Sequence, residues 1–174
     1  MQQTALPKQY PPTNTEDNMY VRYDTLIKNA LVFDGTGAQG EIKDVAIKGD
    51  KIAALGKLDN HSATEIIDAE GLTLAPGFID VHTHDDLEVI RNPQMLNKIS
   101  QGVTSVIIGN CGISASPYLC DKALVDPINL LGTKDEFTFP ELTHFIEKLD
   151  EVKPNVNVAA LVGHTSLRAQ VMDS

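Results

Sequence analysis

The chain has 174 residues, 42% of them hydrophobic and 22% charged, enough for a domain with a real core and ordinary for a globular protein. Its net charge of −10 argues against nucleic acid or an anionic membrane surface as the main partner. No apolar run reaches the roughly 18 residues of a membrane span, and two cysteines, Cys111 and Cys120, are too few for a disulfide framework, so a reducing, cytoplasmic setting is expected.

Residues 1–22 are polar and proline-rich at their start and are expected to form a flexible N-terminal arm. From Tyr23 to Ala75 the pattern is one of short strands. Leu26–Phe33 ends at the turn signal Asp34-Gly35, and Val45–Lys48 and Lys51–Leu55 flank Gly49-Asp50, which suits a tight hairpin. Glu65–Asp68 and Leu72–Ala75 flank the turn Ala69-Glu70-Gly71. Short strands at regular spacing predict a small antiparallel sheet or half of a sandwich over 23–75.

At Pro76 the pattern changes. Phe78-Ile79-Asp80-Val81 is a short apolar strand, expected to be buried. Asn92-Pro93 has the form of a helix start, with Asn92 as cap, Met95, Leu96 and Ile99 as the apolar face and Gly102 as the stop. Val103–Ile108 is β-branched and nearly continuously apolar, as in strands of buried parallel sheets. A long connection over 109–137 follows, and Thr138-Phe-Pro-Glu141 matches a capping box for a second helix carrying Leu142, Phe145, Ile146 and Leu149. Val156–Val162 is a third strand. The order strand, helix, strand, helix, strand implies an α/β fold with a parallel sheet and right-handed crossovers.

The polar residues collect at the C-terminal ends of these strands, the edge where parallel α/β sheets and barrels place their sites. They are His82, His84 and Asp85 after the first strand, Asn110 and Cys111 after the second, and His164 and Thr165 after the third. In a strand, residues i and i+2 share a face, so His82 and His84 project together and can both reach one divalent metal. Such a metal lowers the pKa of bound water towards neutrality. Cys111, in a Gly-Asn-Cys-Gly turn at the next strand end, adds a thiolate, and thiolate with imidazole selects zinc or a similar borderline metal.

The remaining candidates admit two readings each. His164 and Arg168 form either a substrate-binding turn, with the guanidinium on a carboxylate, or a helix start capped by Thr165 or Ser166. Asp80 either orients the imidazoles from behind or is a hydrogen-bonded carboxylate one step deeper. Asp85 and Asp86 either bond the imidazoles or cap the next turn. Cys120 is expected to be structural, His144 exposed, and His61 in a polar turn.

Ala75-Pro-Gly-Phe-Ile-Asp-Val-His-Thr-His84 resembles the first-strand signature of the amidohydrolase superfamily. The extended forms His82-Thr-His-Asp-Asp86, Gln101-Gly-Val-Thr-Ser-Val-Ile-Ile-Gly-Asn-Cys-Gly-Ile-Ser114 and Val162-Gly-His-Thr-Ser-Leu-Arg168 resemble the N-acyl-D-amino-acid deacylase (D-aminoacylase) family. That resemblance implies a small β-sandwich over 23–75, the first three βα units of a metal-dependent (β/α)8 barrel over 76–174, and one or two zinc ions. It implies that His82 and His84 bind one metal position and that Cys111 takes the tighter zinc or bridges two. It implies hydrolysis of the amide of small-molecule N-acyl-D-amino acids to a carboxylate and a D-amino acid. Hydantoinases and dihydroorotases, the alternative cyclic-amide hydrolases, use a carboxylated lysine where this family uses the cysteine. A non-catalytic metal- or partner-binding domain is the third reading.

The family also needs two further histidines and a general-base aspartate from later strands, expected beyond Ser174. A (β/α)8 barrel takes about 250 residues, and only about 100 follow Pro76. An incomplete fold is therefore expected, inactive by itself, with an open barrel edge prone to self-association.

Overall fold

The computed structural model describes residues 22–121 and 123–172, so the arm expected over 1–22 lies outside the described residues except for Arg22, which already belongs to a strand. The chain divides into two compact units at Pro76 and Gly77.

The first unit is one sheet of β1 (Arg22–Val32), β2 (Glu41–Lys48), β3 (Lys51–Gly56), β4 (Ser62–Asp68) and β5 (Thr73–Leu74), ordered β3-β2-β1-β4 with β5 also on β1. The Gly49-Asp50 hairpin joins β2 and β3 antiparallel as expected. The all-antiparallel expectation fails for β4 and β5, which pair with β1 in parallel. The chain does not reverse at Ala69-Glu70-Gly71; β4 leaves β1 opposite Lys28 and β5 rejoins it opposite Leu31. The cause is a bulge in β1, where Asn29 takes a left-handed φ of 56°. Lys28 O and Asn29 O accept the N–H groups of Ala69 and Gly71, so the turn docks onto the bulge. Buried Asp44 holds the other side, taking the Asn29 N–H on Oδ1 and the Leu58 N–H on Oδ2, both at 2.9 Å. Tyr23, Leu26, Ala46, Ala54 and Leu58 form this unit's core.

The second unit contains β6 (Phe78–Asp80), α1 (Glu88–Arg91), α2 (Leu96–Ile99), β7 (Val103–Ile108), β8 (Tyr118–Leu119), β9 (Thr138–Phe139), α3 (Leu142–Val152), β10 (Asn157–Ala160) and α4 (His164–Val171). Strands β6, β7 and β10 make a parallel sheet with β7 central. Val106 and Ile108 are buried in a core with Met95, Ile128, Phe137 and Phe145. Phe78, Ile79 and Val81 are each 61% exposed, against the expectation of a buried strand. Strand β6 is an edge of this sheet, with β7 as its neighbour and Ile79 opposite Ser105. No helix among the described residues is long and apolar enough to cross a membrane.

Two helix starts differ from expectation. Asn92 does not open a helix; it closes α1, and its Nδ2 donates to Glu88 Oε1. Pro93 is the reason, because it drives the preceding residue out of the helical region. The Thr138–Glu141 capping box is absent: Thr138 is taken into the β8–β9 ribbon, and Glu141 precedes α3 without a side-chain cap. The Thr and Glu pairing occurs five residues earlier, where Glu136 Oε2 accepts from the Thr133 N–H and hydroxyl. The span 109–137 is also less loop-like than expected. It holds 3-10 turns at Asn110–Gly112, Ile128–Leu130 and Lys134–Glu136 and contributes Ile113, Tyr118, Ile128, Leu131 and Phe137 to the core.

Candidate metal centre

Beyond the end of β6 at Asp80, His82 and His84 lie next to each other, with ring centroids 5.9 Å apart and edge to face. Strand β7 ends at Ile108, and Gly109 with φ 80° turns the chain into the 3-10 turn Asn110–Gly112. Cys111 sits in that turn at a left-handed φ of 58°, a conformation few non-glycine residues adopt. The turn directs Sγ of Cys111 against Nε2 of His82. Ligand atoms of His82, His84 and Cys111 all lie within 4.8 Å of one another, and all three residues are exposed. Two imidazoles and a thiol converging on one point have the donor chemistry and spacing that could fill three corners of a tetrahedral zinc site. Zinc fits this donor set better than a hard cation, which prefers oxygen.

The turn that carries Cys111 is held from several directions. Asn110 Nδ2 donates to Val81 O at 2.6 Å, linking the ends of β6 and β7. Ser114 and Ser166 form a buried pair: the Ser114 N–H donates to Ser166 Oγ at 2.8 Å, and that hydroxyl returns a bond to Ser114 O at 2.9 Å. The Gly163 N–H donates to Ser114 Oγ. Asp86, 1% exposed, accepts the Ala115 N–H at 3.0 Å on Oδ1, while its Oδ2 has no hydrogen-bond partner among the described residues. Burial pushes the Asp86 carboxyl above its ordinary value, and the backbone N–H groups of Ala115 and Gly109 oppose this only in part.

Asp86 supplies a test of how the turn is anchored. Asp86→Ala strands the buried Ala115 N–H and is expected to cost about 1–3 kcal/mol, read as a lower urea midpoint. The folded pKa is raised above the unfolded 3.8, so the folded state holds the proton more tightly. Stability from this group is therefore greatest at low pH and declines as pH rises from 3.8 through the folded value. Urea midpoints measured across that window should lose this component of slope in the variant; an unchanged slope and midpoint would refute the anchoring role.

Asp80 and Asp85 lie beside the histidines, yet neither carboxylate hydrogen-bonds an imidazole. Asp80 Oδ1 accepts the His82 backbone N–H at 3.2 Å, and its Oδ2 pairs with Lys98 at 2.8 Å. Asp85 Oδ2 takes the Thr83 hydroxyl at 2.6 Å and Lys98 at 2.7 Å. The Lys98 ammonium holds the Asp80 carboxyl below its ordinary value. Lys98 escaped the sequence reading because it sits on a different element, 18 residues from Asp80, with no periodic relation to it.

His164 opens α4 but is not part of the converging trio. Gly163 is the residue before the helix, so neither Thr165 nor Ser166 caps it. Arg168 is exposed on α4 and borders a groove of about 450 Å³ with Tyr118, Asp121, Val125 and Thr165. Cys120 is half-buried against the core, and His144 is exposed. His61 stacks on Tyr23, with both ring nitrogens buried and unbonded among the described residues.

The chain is similar to several known proteins. A family model described as "Amidohydrolase family" matches residues 65–174. The chain is 44% identical over 160 residues to the N-acyl-D-aspartate deacylase of Alcaligenes xylosoxydans xylosoxydans, covering 92% of this chain and 32% of that protein. A D-aminoacylase structure described for its binuclear metal centre superposes with a TM-score of 0.84 at 43% identity, over 87% of this chain and 32% of that one. The N-acyl-D-glutamate deacylase of Bordetella bronchiseptica, solved with zinc and a phosphonate mimic of the tetrahedral intermediate, superposes at 0.82 with 41% identity, over 88% and 32%. The chain thus spans about a third of the length of the relatives it matches.

Proposed function

Since the chain belongs to the amidohydrolase family, we propose that His82, His84 and Cys111 hold zinc and that the whole protein hydrolyses the amide of N-acyl-D-amino acids. The observation that carries this reading is the convergence of those three ligand atoms within 4.8 Å, in a chain 44% identical to an N-acyl-D-aspartate deacylase. One or two zinc ions would supply Lewis acidity towards the acyl oxygen and a water acidic enough to react near neutral pH. In the reaction, water adds to the acyl carbon, the carbon–nitrogen bond breaks, and a proton passes to the leaving amine. An aspartate from outside these residues carries that proton. The protein's own contribution here is to fix the ligands: Asn110 ties the Cys111 turn to Val81, and Asp80 fixes the His82 backbone. Arg168, with no ion pair among the described residues and a groove beside it, is read as the residue that receives a substrate carboxylate, with His164 one turn before it on α4.

In this reading residues 23–75 are part of a small β-sandwich and 76–174 the opening βα units of a (β/α)8 barrel. The outer edges of β6 and β10 then await further strands, and in their absence pair with a second copy. The test is hydrolysis by the zinc-loaded whole protein of N-acetyl-D-aspartate, N-acetyl-D-glutamate and neutral N-acetyl-D-amino acids, with the L-enantiomers as controls. Acetate release confined to D-substrates is expected; no hydrolysis of any member of the panel overturns the assignment.

A further inference from the structure

We infer that Lys98 is a positioning residue for the metal centre: its ammonium fastens the backbone segment that carries His82 and His84. The inference rests on the metal reading of that pair. Lys98 Nζ is 2.8 Å from Asp80 Oδ2, 2.7 Å from Asp85 Oδ2 and 3.1 Å from Thr83 Oγ1. An ammonium has three N–H donors, and all three have an acceptor here.

The three acceptors flank and alternate with the histidines in the run Asp80-Val-His-Thr-His-Asp85. Asp80 also receives the His82 N–H, and Thr83 donates its hydroxyl to Asp85. One cation from α2 therefore fixes the carboxylate two residues before His82, the residue between the two imidazoles and the residue after His84. This segment needs such a fastening because it has left the sheet: β6 ends at Asp80, and residues 81–87 are in no strand.

The cluster is shielded. The Lys98 side chain is 18% exposed and that of Asp85 14%, so the charges attract with less screening than on an open surface. Burial alone would lower the Lys98 pKa, but the two carboxylates outweigh it and the net shift is upward. The ammonium thus stays charged throughout the pH range in which zinc binds. Arginine cannot substitute well, because a planar guanidinium does not direct three N–H groups at three oxygens around one nitrogen.

Cobalt(II) titration of the whole protein tests this, with visible absorption reporting the ligand set and circular dichroism reporting the fold. Lys98→Met keeps the aliphatic stem and removes the ammonium. It is expected to weaken cobalt binding by about 10-fold or more and to alter the visible band shape, with circular dichroism unchanged. Lys98→Arg is expected to recover only part of the loss, and Lys148→Met, on α3 and paired with Glu151, to bind as wild type. Wild-type affinity and spectrum in Lys98→Met overturn the inference. If that variant loses its fold, Thr83→Val, which removes one acceptor of the three, replaces it: a several-fold loss of affinity supports the role and unchanged affinity refutes it. A whole wild-type protein that fails to bind cobalt would refute the metal reading itself, a result separable from the behaviour of Lys98.

Discussion

Cys111→Ala is expected to abolish zinc retention by this chain. The site offers three protein ligands, and Cys111 is the one that carries a full negative charge when bound. Four-ligand zinc sites bind with about 10–16 kcal/mol, so losing the thiolate from a set of three should cost on the order of 100-fold or more in affinity. Competition against a chromophoric chelator measures this directly. With cobalt, the sulfur-to-metal charge-transfer absorption should vanish in Cys111→Ala, whereas His82→Ala should weaken binding and keep that absorption. Cys120→Ala is the matched control, because Cys120 is half-buried away from the trio and is expected to leave affinity unchanged. Retention of metal by Cys111→Ala at wild-type strength would sink the assignment of the centre.

Gly109→Ala is expected to be the most destabilising single-methyl addition in the second unit. Gly109 has a φ of 80°, and a Cβ there would lie 2.0 Å from the carbonyl oxygen of Leu161. A left-handed conformation costs an alanine about 1–2 kcal/mol by itself. The overlap adds more, because the obstructing atom is backbone and no side-chain rotation relieves it. Leu161 cannot retreat freely, since its own N–H is bonded to Ile108 O at 3.0 Å. A loss above about 4 kcal/mol is expected, or else separation of β10 from β7. Urea unfolding gives the magnitude, and cobalt titration of the same variant should show weakened binding, because Gly109 leads directly into the Cys111 turn. Gly37→Ala calibrates the effect: φ there is 85° but nothing lies within 4 Å, so only about 1 kcal/mol is expected. Equal losses in the two variants would show that the approach to Leu161 is unimportant.

Parts of the candidate site were legible in the sequence for definite reasons. The period of two in an extended segment puts His82 beside His84 in any extended conformation, and the structure has their rings adjacent. The βαβαβ order implied parallel neighbours, and β6, β7 and β10 pair that way. Local signals misled where a tertiary demand competed with them. Thr138 satisfies a capping pattern, but its backbone is paired with Leu119. Asn92 satisfies an N-cap pattern, but in the structure it closes the helical turn before it, with Pro93 next. Glu65–Asp68 and Leu72–Ala75 looked like arms of a reversing turn, yet both run along β1 because a bulge at Asn29 receives the turn between them.

The sequence by itself determined the local spacing that sets two of the candidate ligands side by side, because backbone alternation is a property of the chain and needs no partner. The position of Cys111 against His82 was decided only by the tertiary structure. It requires a left-handed turn at the end of β7, a glycine passing under the Leu161 carbonyl, and a serine pair reaching across 52 residues. Lys98 belongs to the same class, since its three acceptors come together only when α2 packs beside the segment after β6. Contacts of this kind have no period and no motif. They are fixed by which elements pack together, and the buried donors and acceptors that result must be satisfied wherever packing brings them.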